Sequence, residues 1–334
     1  MAAIELSGVR KEFADVTAVR DLDLTVEEGE VYGFLGPNGA GKSTTINILL
    51  DFVRPSAGEV RVLGRDAHRE SLAVRQRTGV LPEGFGVYDR LSGRQHVEFA
   101  IDSKDADDDP DELLSRVGLA ADGARTAGGY SKGMRQRLAL AMALVGEPEL
   151  LILDEPSSGL DPTGAKDMRE IVREEVDRGA TVFFSSHVLG QVEAVCDRVG
   201  ILRDGRLVAE DSVEGLREAV GDDETLVITV GEGADEVDDD GVSDEGLGDA
   251  MAAIRDLEGV SAVELDGDTL TVSCRGGAKT AVLSTLEEQG IDVDDFTTRE
   301  ASLEDLFLAY TEGDAGESGS PPGAKAKTER EGSA

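Results

Sequence analysis

The segment that most limits what this chain can fold into is Gly36, Pro37, Asn38, Gly39, Ala40, Gly41, Lys42, Ser43 and Thr44. It lies between the apolar run Val31–Leu35 and a helical pattern over 43–50. A short buried strand that ends in glycines and opens a helix lets the backbone curl until its N–H groups and the helix N-terminus face one point. Anions bind at such points. The residue order is that of the phosphate-loop motif, which puts Lys42 on the β and γ phosphates of a nucleoside triphosphate and the Ser43 hydroxyl on Mg²⁺. A chance glycine turn before a helix is the bland alternative, and a second motif downstream argues against it.

That second motif is the apolar run 150–153 ending in Asp154, Glu155 and Pro156. The two acids emerge at the C-terminal edge of a buried strand, which is the edge where open α/β sheets bind ligands. Asp154 is placed to join a Mg²⁺ shell, and Glu155 to polarise a water for attack on the γ-phosphorus. A solvated acidic turn is the alternative reading.

Period-two alternation over 4–6 and 18–26 predicts antiparallel strands with one buried face. Further strands are expected over 31–35, 150–153, 181–185 and 199–202, and helices over 43–50, 132–145 and 165–177. Strands alternating with helices predict a mainly parallel sheet covered on both faces. After Gly221 the pattern becomes strand 225–230, helix 247–257, strands 260–265 and 269–274, helix 278–289 and strand 291–296. That β-α-β-β-α-β order is the ferredoxin-like arrangement of a small α+β domain. The acidic, glycine-bearing stretch 231–246 reads as an exposed loop, and 313–334 has almost nothing to bury and reads as a disordered tail. Domains at 1–220 and 221–312 fit 334 residues, since domains run to about 100–200 residues.

A net charge of −37, from 70 acidic against 33 basic residues of which 8 are lysine, would repel a polyanion and argues against a nucleic-acid partner. Acidity spread over the whole chain reads as adaptation to high salt, where the Debye length shrinks to about 3 Å at 1 M. Cys196 and Cys274 have neither metal-ligand spacing nor a disulfide framework, which suits a reducing cytoplasm. The N-terminal segment has no secretory pattern, and no apolar run approaches the ~18 residues of a spanning helix. A membrane role would therefore come through a partner. His68 and His96 are expected at the surface.

Over roughly 1–220 the chain resembles the ATP-binding subunits of ABC transporters. Besides the two motifs above, the resemblance rests on Tyr130-Ser131-Lys132-Gly133-Met134, on Ser157-Ser158-Gly159-Leu160-Asp161-Pro162 and on Ser185-Ser186-His187. It implies a P-loop NTPase with an antiparallel β subdomain and a helical subdomain, acting as an ATPase on Mg-ATP. It also implies a homodimer in which Ser131 and Gly133 of one copy contact the γ-phosphate held by the other, with a contact loop around Asp161. His187 would hydrogen-bond the γ-phosphate and Phe13 would stack on adenine. Glu83 stands where most relatives carry a metal-sensing glutamine; as an anion it accepts but cannot donate a hydrogen bond. Read from the residues alone, Ser131 could merely cap a helix, Phe13 could be core and His187 a bystander. Glu83, the lysine at 132 and the segment 301–311 resemble the exporter branch that handles drugs, sodium or polysaccharide. Apolar positions 303, 306, 307 and 310 would line one helix face, for packing in the small domain or for a dimer contact. The implied function is transport, export in particular, through a separate integral membrane permease at the cytoplasmic face of the membrane. The alternative is a soluble ABC-type ATPase with a non-transport role.

Overall fold

A computed structural model describes residues 1–220, 223–230, 244–267 and 269–300. Its contacts divide into two compact units, the first built on Met1–Val213 and the second beginning at Glu214. The first unit opens with long antiparallel strands β1 (Ala2–Phe13) and β2 (Val16–Glu27), in which alternate side chains are buried. Next come β3 (Val31–Leu35), α1 (Lys42–Leu49), β4 (Ala57–Val62), β5 (Arg65–Asp66), α2 (Ser71–Gln76) and β6 (Thr78–Leu81). Helices α3 (Gly93–Lys104), α4 (Pro110–Arg116) and α5 (Lys132–Ala143) follow and pack on one another. The cassette is completed by β7 (Leu150–Asp154), α6 (Pro162–Asp177), β8 (Thr181–Ser186), α7 (Leu189–Glu193), β9 (Arg198–Arg203) and β10 (Arg206–Ser212).

Two sheets result. The antiparallel one has the order β2-β1-β4-β5, and the six-stranded one the order β10-β9-β3-β8-β7-β6. In the larger sheet β9, β3, β8, β7 and β6 pair in parallel, and β10 closes one edge antiparallel. Every residue of β3, β7 and β8 is buried, as expected of strands covered on both faces. Tyr32 and Phe183 stack with centroids 5.9 Å apart, and Phe34 lies 5.1 Å from Phe183. All three are fully buried, and each contributes about 1.5–3 kcal/mol on burial. This aromatic cluster fixes the strands whose ends carry the chemistry. The helix starts are set by side chains: Ser131 accepts the Met134 N–H at 3.2 Å. Asp161 accepts the Gly164 N–H at 2.9 Å with Pro162 in the first turn, caps worth about 1 kcal/mol each.

Helix α8 (Val213–Val220) begins where the contacts divide. The second unit has β11 (Asp223–Val230), α9 (Asp244–Arg255), β12 (Val260–Asp266), β13 (Thr269–Arg275), α10 (Lys279–Glu288) and β14 (Val293–Glu300). Its sheet runs β12-β13-β11-β14, antiparallel throughout. This is the ferredoxin-like arrangement expected of that order, closed over a core that includes Leu226, Ile228, Ile254, Leu270, Val272 and Leu286. Residues 244–246, expected in the acidic loop, form the first turn of α9. The rest of that loop, the helix expected from 302 and the tail from 313 lie outside the described residues.

The two histidines expected at the surface are not there. His96 is 2 % exposed; its Nδ1 meets Ser92 O at 2.8 Å, and its Nε2 accepts the Tyr88 N–H at 2.9 Å. His68 pairs through Nδ1 with Asp51 Oδ1 at 2.8 Å and is largely covered. His96 closes a turn with both nitrogens and His68 is held by a single carboxylate, neither of which residue type alone reveals.

Candidate nucleotide site

The phosphate loop leaves the C-terminal end of β3, at the middle of the larger sheet. Gly39 and Gly41 hold φ of +84° and +111°, a region that side chains with a Cβ avoid. At Gly41 a Cβ would also lie 2.5 Å from Ala18 O, so only glycine fits. The loop thereby turns its backbone onto the start of α1, whose first turn carries no acidic side chain to compete for an anion. Lys42 is 7 % exposed and its ammonium donates to Gly36 O and, at 3.3 Å, to Pro37 O. Burial lowers its pKa, opposed by the nearby charges of Glu155, Asp154 and Glu83.

A cleft in front of the loop is lined by Ala18, Lys42, Ser43, Glu83, Asp154 and Glu155, together with Pro37 to Gly39, Gly41 and Thr44. Asp154 ends β7 and is 5 % exposed, with its Oδ1 buried and without a hydrogen-bond partner among the described residues. Burial raises its pKa, the Ser185 hydroxyl opposes this, and the charges of Glu83 and Glu155 push it further up. Three carboxylates and one ammonium thus share a single cleft. An unpartnered buried oxygen beside a serine hydroxyl and a second carboxylate is an oxygen-only donor set, the kind that suits Mg²⁺.

Glu155 follows Asp154 at φ +49°, a left-handed conformation that costs a non-glycine residue about 1–2 kcal/mol. Its N–H donates to Ser185 O at 3.0 Å, which ties the turn to the end of β8. His187 Nδ1 lies 2.8 Å from Glu155 Oε1; a carboxylate only accepts, so Nδ1 carries the hydrogen. Ser186 Oγ approaches Glu155 Oε2 at 3.4 Å and Gln191 Oε1 at 3.2 Å, and Ser157 Oγ donates to the same Gln191 oxygen. Gln136 Nε2, on α5, donates to Glu155 O at 3.2 Å and Pro156 O at 3.0 Å.

The expected residues therefore fall into two groups. The loop residues other than Gly36 and Ala40 line one cleft with Glu83, Asp154 and Glu155, and His187 is attached to Glu155. Ser131 and Gly133 do not line this cleft; a Cβ on Gly133 would lie 3.1 Å from Gly159 O, and Lys132 bonds Ser158. Phe13 is also outside the lining. It is 45 % exposed at the end of β1, with the Lys11 ammonium 4.7 Å from its ring centroid, and so is not the core residue that was its alternative reading. Sequence reasoning missed Ala18, Gln136, Gln191 and the hydrogen-bonding role of Ser157. Only Ser157 carried a signal, its place two residues after Glu155.

Residues 19–158 match the family described as ABC transporter. Residues 212–311 match one described as ATP-binding protein DrrA1-3-like, C-terminal domain. The daunorubicin resistance ATP-binding protein DrrA3 of Streptomyces coeruleorubidus is 37 % identical over 316 residues, covering 92 % of this chain and 96 % of that protein. This chain belongs to the ABC transporter ATP-binding proteins. The bacitracin transport ATP-binding protein BcrA of Bacillus licheniformis is 33 % identical to this ABC ATPase over 319 residues, covering 91 % and 96 % of the two chains. A solved ATP-binding subunit of an ABC transporter superposes with a TM-score of 0.61 at 28 % identity, covering 66 % of this chain and 93 % of that one. A dimeric cassette bound to ADP and phosphate shares the fold, with a TM-score of 0.59 at 24 % identity over 63 % and 98 % of the chains. The ABC ATPase is accordingly an enzyme that binds and hydrolyses ATP, and the cleft at Lys42 is the one its phosphate loop builds. Among the described residues, no helix is long and apolar enough to cross a membrane.

Proposed function

We propose that this ABC ATPase powers export through a separate membrane permease, docked at the cytoplasmic face of the membrane. The observation that carries the reading is similarity over nine-tenths of the chain, C-terminal unit included, to proteins named for daunorubicin resistance and bacitracin transport. Two copies would sandwich two ATP. Ser131 and Gly133 support this, because Ser131 caps α5 and Gly133 lies in its first turn, yet both stand apart from their own cleft. A helix N-terminus with free N–H groups suits the γ-phosphate of a nucleotide held by a second copy.

Within each site the loop amides and Lys42 bind the phosphates, and Phe13 offers an exposed ring for adenine. Ser43 and Asp154 would hold Mg²⁺, with Glu83 beside them; the ion, when bound, neutralises charge on the phosphate oxygens. Glu155 accepts a proton from the attacking water, the water oxygen bonds to the γ-phosphorus, and ADP leaves. His187 holds the Glu155 carboxylate in that orientation.

The test is to purify tagged Glu155→Gln with ATP from gently solubilised host membranes at high salt, a condition suited to the chain's acidic charge, and to identify what accompanies it. A polytopic membrane protein in stoichiometric amount is the expected result. Recovery of soluble partners or ribosomes alone would leave the ATPase standing and refute the transport role.

A further inference from the structure

The first two turns of α5 are tied to the turn that carries Glu155. Lys132 Nζ donates to Ser158 Oγ at 3.0 Å, Arg137 Nη2 lies 4.0 Å from Asp161 Oδ1, and Gln136 spans Glu155 O and Pro156 O. Two carbonyl acceptors fix which end of the Gln136 amide faces the turn, since only its NH₂ donates. What the amide grips is unusual backbone. Glu155 lies in the left-handed region, and such a conformation persists only where its surroundings hold it. The other bonds on that backbone are local to the strand ends and the turn: Glu155 N–H to Ser185 O, and Ser158 N–H to Glu155 O at 3.0 Å. Among the described residues, Gln136 is the side chain that connects it to the helix whose first residues are Lys132 and Gly133, capped by Ser131.

We infer that Gln136 is a positioning residue for Glu155. Its amide holds the left-handed turn that aims the carboxylate, and it transmits to that turn any displacement of α5. The second half rests on the two-copy sandwich proposed above. When Ser131 and Gly133 of one chain seat on ATP held by the other, the shift of α5 reaches Glu155 of the first chain. Occupancy of one site thereby sets the geometry of the base in the other, and the two hydrolysis events become linked without any residue bridging the two nucleotides directly.

The experiment is steady-state ATP hydrolysis by the full chain carrying Gln136→Met, which keeps the side-chain length and removes the donor. The expected result is kcat lowered about tenfold with the KM for ATP changed less than twofold. ATP-dependent dimerisation, followed by light scattering, should be equal for Glu155→Gln and for Glu155→Gln with Gln136→Met. An unchanged kcat overturns the inference. So does loss of the dimer in the double variant alone, because Gln136 would then be building the α5 N-terminus and not aiming the base. If Glu155→Gln by itself stays monomeric with ATP, the sandwich and the inter-site link fall together, while a selective loss of kcat still assigns Gln136 to Glu155 within one chain. Should Gln136→Met not fold, Gln136→Asn, whose shorter amide cannot span both carbonyls, must show the same split between kcat and KM.

Discussion

Replacing His187 with alanine tests whether the imidazole acts on the nucleotide or on the base. In the structure its only ring contact is Nδ1 to Glu155 Oε1 at 2.8 Å among the described contacts, with the other carboxylate oxygen held weakly by Ser186 at 3.4 Å. A hydrogen bond to a charged group contributes about 1.5–3 kcal/mol. The ring is 51 % exposed while the Glu155 side chain is 10 % exposed, so water replaces part of the lost bond and the lower end applies. About 1.4 kcal/mol converts to a tenfold fall in kcat. Glu155→Gln removes the base itself, and general-base catalysis contributes about 10²–10⁴-fold, so it should be one to three decades slower than His187→Ala. The assay is phosphate release by the full chain at saturating Mg-ATP. In a Glu155→Gln background, His187→Ala should cost nothing further, because its effect runs through the missing carboxylate. A further tenfold loss there, or a fall as deep as that of Glu155→Gln, would refute the reasoning and place the imidazole directly on the reacting phosphate.

Lys42→Ala should abolish nucleotide binding measured by titration calorimetry, since it removes the ammonium that lines the cleft; retained affinity would move phosphate recognition to the backbone alone. Phe13→Ala should weaken ATP binding by about two- to thirteenfold, the ~0.5–1.5 kcal/mol of one ring stack, with kcat unchanged, and an unaltered affinity would remove Phe13 from the site. Asp154 has a pKa raised by burial, so the folded chain binds its proton more tightly than the unfolded one and stability falls as pH rises above the unfolded value of ~3.9. Asp154→Asn should therefore raise the neutral-pH melting temperature without nucleotide while abolishing Mg²⁺-dependent hydrolysis, and a lowered melting temperature would show the carboxylate stabilising the fold. Glu175, 3 % exposed between Arg116 and Arg178, should cost about 1.5–3 kcal/mol when replaced by alanine, read by urea unfolding; a loss under 1 kcal/mol would mean that Glu174 and water replace it fully.

What was legible in the sequence is what depends on local order. The glycine pattern dictates the loop at Gly36 to Thr44, and the apolar run before Asp154 dictates that two acids leave a strand together. Alternation and turn residues likewise point to the order of strands and helices described over 223–300. The links between elements were not legible. Gln136 sits between two arginines and looks like a solvated helix residue; only the approach of α5 to the end of β7 makes it a clamp. Gln191 is similar, since its partners Ser157 and Ser186 come from two different strand ends. His96 misled for the converse reason, because a polar ring was read as a surface group when both of its nitrogens are spent on nearby backbone. Phe13 shows that a hydrophobic residue between two strands can still face outward where the hairpin ends.

The phosphate loop hangs from β3, and β3 is paired on both sides, by β8 and β9, with all five of its residues buried. Amide hydrogens on such a strand exchange with solvent only when the whole unit opens. The loop's anchor is therefore among the last parts of the protein to yield to heat or denaturant.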